Sequence, residues 1–103
     1  DYQKATQFFK KAVQSDESAN AHYVLGRMYF HGQGVKKDLD VAIKLLEFAE
    51  ESGNIPSGCY LSEAYMKAKK KPSYIAWGLM AGLRKNIPHC KEVFQQYLAY
   101  QLP

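Results

Sequence analysis

Large apolar residues recur along this chain at the three- and four-residue spacing that places them on one side of an α-helix. Residues 42–49 begin and end with alanine and carry two large apolar residues at the third and fourth positions after the first alanine. Residues 5–12 carry the same pattern 37 positions earlier. A recurring stripe of this kind predicts amphipathic helices that return at a fixed distance along the chain.

A second pattern lies between the copies of the first. The sequence Leu-Gly-Arg-Met-Tyr at residues 25–29 returns as Leu-Ser-Glu-Ala-Tyr at residues 61–65, and Asn-Ile-Pro at residues 54–56 returns at residues 86–88. The two offsets are 36 and 32 residues. The shorter offset follows from loop length, because the glycine-bearing loop at residues 31–38 has a shorter counterpart around residues 69–72, and loops absorb such changes easily.

The two patterns together predict an all-α fold in which each helix packs on its neighbours, because none can bury its apolar stripe alone. We expect an α/α superhelix, or solenoid, of antiparallel helix pairs with about six helices. Asp38 is a candidate N-cap, Gly53 and Asn54 form a candidate left-handed turn, and the mid-helix Gly26 indicates close approach of a neighbouring helix. The predicted helices are residues 2–14, 20–30, 39–52, 56–68, 73–85 and 88–100.

Residues 21–54 resemble the Sel-one-like repeat, a tetratricopeptide-related family of helical repeats. The resemblance depends on an Ala-x3-Leu-Gly-x2-Tyr helix, a Gly-x-Gly-Val loop and an Ala-x2-Leu-Leu helix. The matching residues are Ala21, Leu25, Gly26, Met28, Tyr29, Gly32, Gly34, Val35, Lys37, Asp38, Ala42, Leu45, Leu46, Ala49, Gly53 and Asn54.

The resemblance divides this single repeat domain, residues 1–103, into four parts. Residues 1–17 are expected to be the second helix of a preceding repeat, residues 18–54 a well-formed repeat, residues 55–86 a degenerate repeat, and residues 87–103 a final or capping helix. We therefore expect the chain to be a fragment of a longer protein. The family implies a right-handed superhelix and an adaptor role in holding partner peptides or domains. Its members occur in bacterial and in eukaryotic secretory-pathway proteins, which leaves the compartment open.

The formal net charge of +4 does not change the prediction of an all-α repeat fold. Part of the excess lies in lysines at positions 67 and 69–71, and such a run is typical of a solvated turn. Nucleic-acid-binding proteins carry a basic stripe interleaved with stacking aromatics, so we expect no DNA or RNA partner. No apolar run has the length of a membrane span, and no targeting segment is visible.

No arrangement of residues indicates catalysis, a metal site or a cofactor, and we expect the chain not to be an enzyme. His22, His31 and His89 are scattered along the sequence. For none of them do we predict an acidic partner at helical spacing that would orient the imidazole. Cys59 and Cys90 lack neighbours at zinc-ligand spacing. They are typical of buried, reduced thiols, with a single disulfide as the alternative. The two cysteines do not occupy equivalent positions in the repeats. The sequence therefore does not support membership of the cysteine-rich bacterial branch of the family, which has been linked to the binding of β-lactam-like compounds.

In repeats of this kind the first helix of each pair lines the concave groove, so its outer side is the candidate binding surface. We predict that Tyr23, Arg27 and Phe30 anchor a segment of another protein or peptide, because these residue types are enriched at interfaces. The alternative is that Tyr23 and Phe30 pack against a helix of a preceding repeat. The predicted partner-binding residues are Asn20, Tyr23, Arg27, Phe30, His31, Glu63, Met66, Lys67, Lys91 and Gln95.

The contrasting hypothesis is a ligand that is not a protein. A glycan or peptidoglycan fragment would bind in the aromatic-lined groove, whereas nucleic acid or an anionic surface would bind at the lysine-rich loop.

Overall fold

The computed structural model describes residues 1–15, 18–69 and 79–101, and these residues form α-helices and connecting turns without a strand. The predicted all-α class is confirmed. The helix predicted over residues 73–85 lies partly outside the described residues. The helices are α1 (Tyr2–Ser15), α2 (Ala19–His31), α3 (Leu39–Glu51), α4 (Ile55–Lys67), α5 (described over residues 79–84) and α6 (Pro88–Gln101).

The chain divides into two compact units, Asp1–Asn54 and Ile55–Pro103. The first unit contains α1, α2 and α3, and the second contains α4, α5 and α6. No helix in the described part of the chain has both the length and the apolar character that a membrane crossing needs.

Capping side chains and glycines set the helix ends in the first unit. The Ser18 hydroxyl and the Asp38 carboxylate each accept a hydrogen bond from the backbone N–H three residues on, at 3.3 and 3.2 Å, and so begin α2 and α3. Gly32 and Gly53 follow these helices with φ of 74° and 95°. This left-handed conformation favours glycine because a Cβ makes it costly. The predicted Asp38 cap and the left-handed turn after α3 are confirmed.

Helices α2 and α3 approach closely because Gly26 has no side chain. A Cβ at this position would lie 2.9 Å from Leu46 Cγ, so a larger residue would require Leu46 to move. The His22 ring stacks on Phe48 of α3 with ring centroids 3.9 Å apart. The close approach predicted from Gly26 is therefore confirmed. The other buried apolar residues of these two helices are Ala21, Leu25, Met28, Phe30, Ala42, Ile43 and Ala49.

The loop between α2 and α3 holds α1 in place. Thr6 of α1 is buried, and its hydroxyl donates to the Tyr2 carbonyl at 2.7 Å and lies 3.4 Å from the Gln33 carbonyl oxygen. The same hydroxyl lies 3.7 Å from Met28 Sδ of α2. Gly34 passes so close to α1 that a Cβ there would overlap the Tyr2 carbonyl and the Thr6 hydroxyl.

The second unit is built around a disulfide. Cys59 of α4 and Cys90 of α6 are both fully buried, and their Cα atoms lie 5.2 Å apart. Gly82 of α5 lies directly against the two sulfur atoms, since a Cβ there would overlap both. The other buried apolar residues of this cluster are Met66, Leu79 and Val93.

The expectation that the two cysteines are reduced is therefore wrong, although their burial was expected. They are 31 residues apart in the sequence, which conceals their proximity. The internal repeat carries the signal that could have revealed it. The 32-residue offset places Cys90 on the position of Gly58, next to Cys59, and equivalent positions on helices packed side by side lie at the same level.

Candidate partner-binding site

The predicted binding surface of the first unit is built around Tyr23 and Arg27, which lie one helical turn apart on α2. The guanidinium carbon of Arg27 is 5.3 Å from the centroid of the Tyr23 ring, within the range of a cation–π interaction. Both side chains are half-buried. The ring therefore orders the arginine at a surface that still has access to solvent.

Two exposed residues extend this pair along the helix. Asn20 lies one turn before Tyr23, and His31 lies one turn after Arg27. On a helical wheel Arg27, Asn20 and His31 lie about 100–140° from Gly26, the position closest to α3. We refer to Asn20, Tyr23, Arg27 and His31 together as the α2 face.

Phe30 was also predicted on this surface, and its expected exposure is wrong. The side chain is only 4% exposed. Because Phe30 follows Gly26 by four residues, it lies only about 40° from the α3-facing position on the helical wheel. Its ring meets the His31 ring edge to face, with centroids 4.9 Å apart. Phe30 can therefore support the α2 face from beneath but cannot contact a partner in this conformation.

The predicted positions of the second unit fall into two groups. Lys67, Lys91 and Gln95 are exposed, as expected. Met66 is 9% exposed and belongs to the core around the disulfide, so its expected exposure is wrong. The prediction assumed that equivalent positions on α2 and α4 have the same exposure. Met66 is instead buried by residues of α5 and α6, and the sequence of α4 alone does not identify these neighbours.

Glu63 is half-buried and engaged by α6. The Gln96 side-chain amide donates to Glu63 Oε2 at 3.2 Å, and His89 Nε2 lies 3.3 Å from Glu63 Oε1. The close contact with His89 lowers the pKa of Glu63 below its ordinary value; burial opposes this shift, and Gln96 and Lys67 support it. Glu63 thus joins two helices rather than standing on an open face.

His89 has acidic neighbours that the sequence interpretation did not assign, so that expectation is wrong. Besides Glu63, the Glu92 carboxylate three residues on lies 3.8 Å from His89 Nδ1. The Tyr60 ring stacks on the imidazole with centroids 4.1 Å apart. The i,i+3 spacing of His89 and Glu92 was a signal in the sequence, whereas the contact with Glu63 depends on packing between helices.

The polar cluster and the disulfide connect the same two helices. Cys59 and Glu63 lie one turn apart on α4, and His89 and Cys90 are adjacent on α6. Both sets of contacts therefore hold α4 against α6.

His22 also has a hydrogen-bond partner, because its Nδ1 donates to the Ser18 carbonyl at 2.7 Å.

The lysine-rich loop is described only in part. Lys67 and Lys69 are exposed, and Lys69 has a positive φ of 57° just after α4 ends. Lys70 and Lys71 lie outside the described residues.

Comparison with known families gives a match over about half of the chain. The sequence model of the Sel1 repeat matches residues 1–16 and residues 19–54. The first segment contains α1, and the second contains α2, α3 and the loop between them. No solved structure matches the chain.

Proposed function

The chain belongs to the Sel1 repeat family, and from this premise we propose that it is an adaptor that binds a segment of another protein on the α2 face. Sel1 repeats are generally protein-interaction modules, and the family is typically a non-enzymatic scaffold. The matched segment at residues 19–54 includes all of the α2 face.

The observation that carries the proposal is the stacked pair of Arg27 and Tyr23. Tyrosine and arginine are among the residues whose truncation costs most at interfaces. A guanidinium that is ordered by a ring before binding loses less side-chain freedom when the partner arrives. The exposed Asn20 and His31 lie on either side of the pair and offer further polar contacts.

The proposal predicts that alanine at Tyr23 or Arg27 weakens partner binding. A partner would first be captured with the immobilised chain, and its affinity would then be measured by calorimetry. Each substitution should raise Kd about tenfold or more, which is about 1.4 kcal/mol. The matched control is Lys44→Ala on α3, an exposed residue outside the α2 face, which should leave Kd unchanged. Unaltered affinity in both α2 variants, with unaltered circular dichroism, contradicts the proposal.

A salt titration separates this proposal from nucleic-acid binding at Lys67 and Lys69. Binding on the α2 face involves one strong cation and an aromatic ring, so Kd should change less than about tenfold between 50 and 200 mM salt. A nucleic acid held through six or more phosphates would lose about 10³-fold or more over the same range. A steep salt dependence would assign the site to the lysine-rich loop.

A further inference from the structure

The two cysteines of the chain are bonded to each other at the point where α4, α5 and α6 meet. Cys59 belongs to α4, Cys90 belongs to α6, and Gly82 of α5 lies against both sulfur atoms. A Cβ at Gly82 would also lie 3.1 Å from Cys90 Cβ. The disulfide is therefore part of the packing of all three helices rather than a link on the surface.

The buried core around this bond is small. Among the described residues the cluster contains five buried residues, and two of them are the bonded cysteines. Half-buried side chains such as Tyr65 and Phe94 pack against the cluster. A unit of about fifty residues is only marginally stable through burial of apolar surface, and a disulfide is a common support for units of this size.

Reduction would leave two separate thiols in a space that fits one bond. Two unbonded sulfur atoms stand farther apart than two bonded ones, and Gly82 already closes the space beside them. Overpacking of this kind destabilises a core. When the bond is reduced, the second unit therefore loses both a covalent constraint and the fit of its core.

The bond has the features of a structural disulfide and differs from catalytic or redox-sensing ones. Cysteines with catalytic or sensing roles are partly exposed and often lie close together in the sequence, as in Cys-x-x-Cys. Cys59 and Cys90 are fully buried and 31 residues apart. A reductant reaches these sulfur atoms only after the helices separate.

We infer that this protein works in an oxidising compartment, such as the extracellular space, a bacterial periplasm or the lumen of the endoplasmic reticulum. Structural disulfides form and persist there, whereas the thiol reductants of the cytosol keep such cysteines reduced. The second unit is folded where the bond forms and is unfolded in the cytosol. The inference does not depend on the adaptor function, but it restricts the proposed partner to proteins of the same compartment.

Expression of the full chain in the cytosol and in the periplasm of one bacterial host tests the dependence on the compartment. Each preparation is quenched in acid and alkylated with N-ethylmaleimide under denaturing conditions, and the peptides that contain Cys59 and Cys90 are analysed by mass spectrometry. The periplasmic chain should carry no label. The cytosolic chain should carry label at both cysteines.

Amide hydrogen exchange is measured on separate, unlabelled portions, with the cytosolic chain kept free of oxygen. Exchange of the slowest amides in α4 and α6 should be about 100-fold faster or more in the cytosolic chain. Helices α2 and α3 should be equally protected in both preparations and serve as the internal reference, because the first unit contains no cysteine.

The matched control is the variant with alanine at both Cys59 and Cys90. Because it lacks the bond everywhere, its α4 and α6 should exchange at the same fast rate in both preparations. A difference between the two preparations of this variant would assign the protection to some other property of the compartment and overturn the inference.

The native protein gives the most direct test. Alkylated in the same way at lysis of the cells of origin, it should carry no label at Cys59 or Cys90. Label at both cysteines would place the protein in a reducing compartment and overturn the inference.

Two results with the wild-type chain would overturn the inference as well. A closed bond in the cytosolic chain would show that the bond also forms in a reducing compartment. A reduced cytosolic chain that exchanges as slowly as the oxidised one would show that the second unit folds without the bond. None of these measurements involves the α2 face, so their failure is distinguishable from failure of the adaptor function.

Discussion

Gly34 and Gly53 both have positive φ, 75° and 95°, but their surroundings differ. A Cβ at Gly34 would overlap the Tyr2 carbonyl and the Thr6 hydroxyl, whereas a Cβ at Gly53 would meet nothing within 4 Å. Substituting the two glycines therefore separates the cost of the left-handed backbone from the cost of the close contact between the loop and α1.

We predict that Gly53→Ala lowers the free energy of unfolding by about 1–2 kcal/mol, the cost of placing a Cβ in the left-handed region. Gly34→Ala should cost at least about 1 kcal/mol more, because α1 must also shift. Urea unfolding followed by circular dichroism measures both. Equal losses in the two variants would mean that the loop does not hold α1.

The contact between Glu63 and His89 should make stability depend on pH. Because the pKa of Glu63 is lowered in the folded chain, its contribution is fully present above the ordinary value of 4.5 and is lost as pH falls through the folded pKa. The difference in unfolding free energy between the wild type and Glu63→Gln should therefore be largest near pH 6 and shrink toward pH 3.

The matched control for this pH dependence is Glu92→Gln. Glu92 lies 3.8 Å from His89 but is mostly exposed, so solvent screens it and the change should be smaller. A difference between wild type and Glu63→Gln that stays constant from pH 6 to pH 3 would contradict the assigned role of the carboxylate.

At the scale of single helices, the ends were predictable because the signals are local. Asp38, Gly53 and the first turns of α2 and α3 can be identified from residues only three or four positions apart. Exposure of individual positions was less predictable. Phe30 and Met66 are buried, and a single helical pattern does not identify the side on which each neighbour lies.

The pairing of Cys59 with Cys90 shows the same limit. A disulfide depends on which helices lie side by side, and the sequence interpretation treated the cysteines one at a time. The contacts of Glu63 with His89 and Gln96 were missed for the same reason. The exposed positions Asn20 and His31 were found because they lie well away from Gly26 on the helical wheel.

Reduction of the disulfide should selectively destabilise the second unit. The bond closes a segment with a sequence separation of 31, so its loss should cost about 3–4 kcal/mol on the chain-entropy account. The unit Asp1–Asn54 contains no cysteine and should respond less. Hydrogen exchange of α4 and α6, with and without dithiothreitol, measures the difference.

The control for reduction is the variant in which both Cys59 and Cys90 are alanine. It should already show the loss, and dithiothreitol should have no further effect on it. Unchanged exchange of α4 and α6 in the reduced wild type would show that packing of these helices is sufficient without the bond.

At the scale of the whole molecule, the two units contain different features. The first contains the matched Sel1 repeat segments and the α2 face. The second contains the disulfide and the Glu63–His89 contact, and its assignment as a degenerate repeat over residues 55–86 stays a prediction. The adaptor proposal therefore depends on the first unit, and its test belongs there.

Site-specific photo-crosslinking tests the adaptor proposal most directly. A benzophenone amino acid placed at Asn20, on the α2 face, is compared with the same group at Lys44, an exposed position on α3. The account predicts a crosslink to one partner protein from position 20 and none from position 44, with the crosslink lost when Arg27→Ala is added. No crosslink from position 20, or equal crosslinks from both positions that survive Arg27→Ala, would contradict the account.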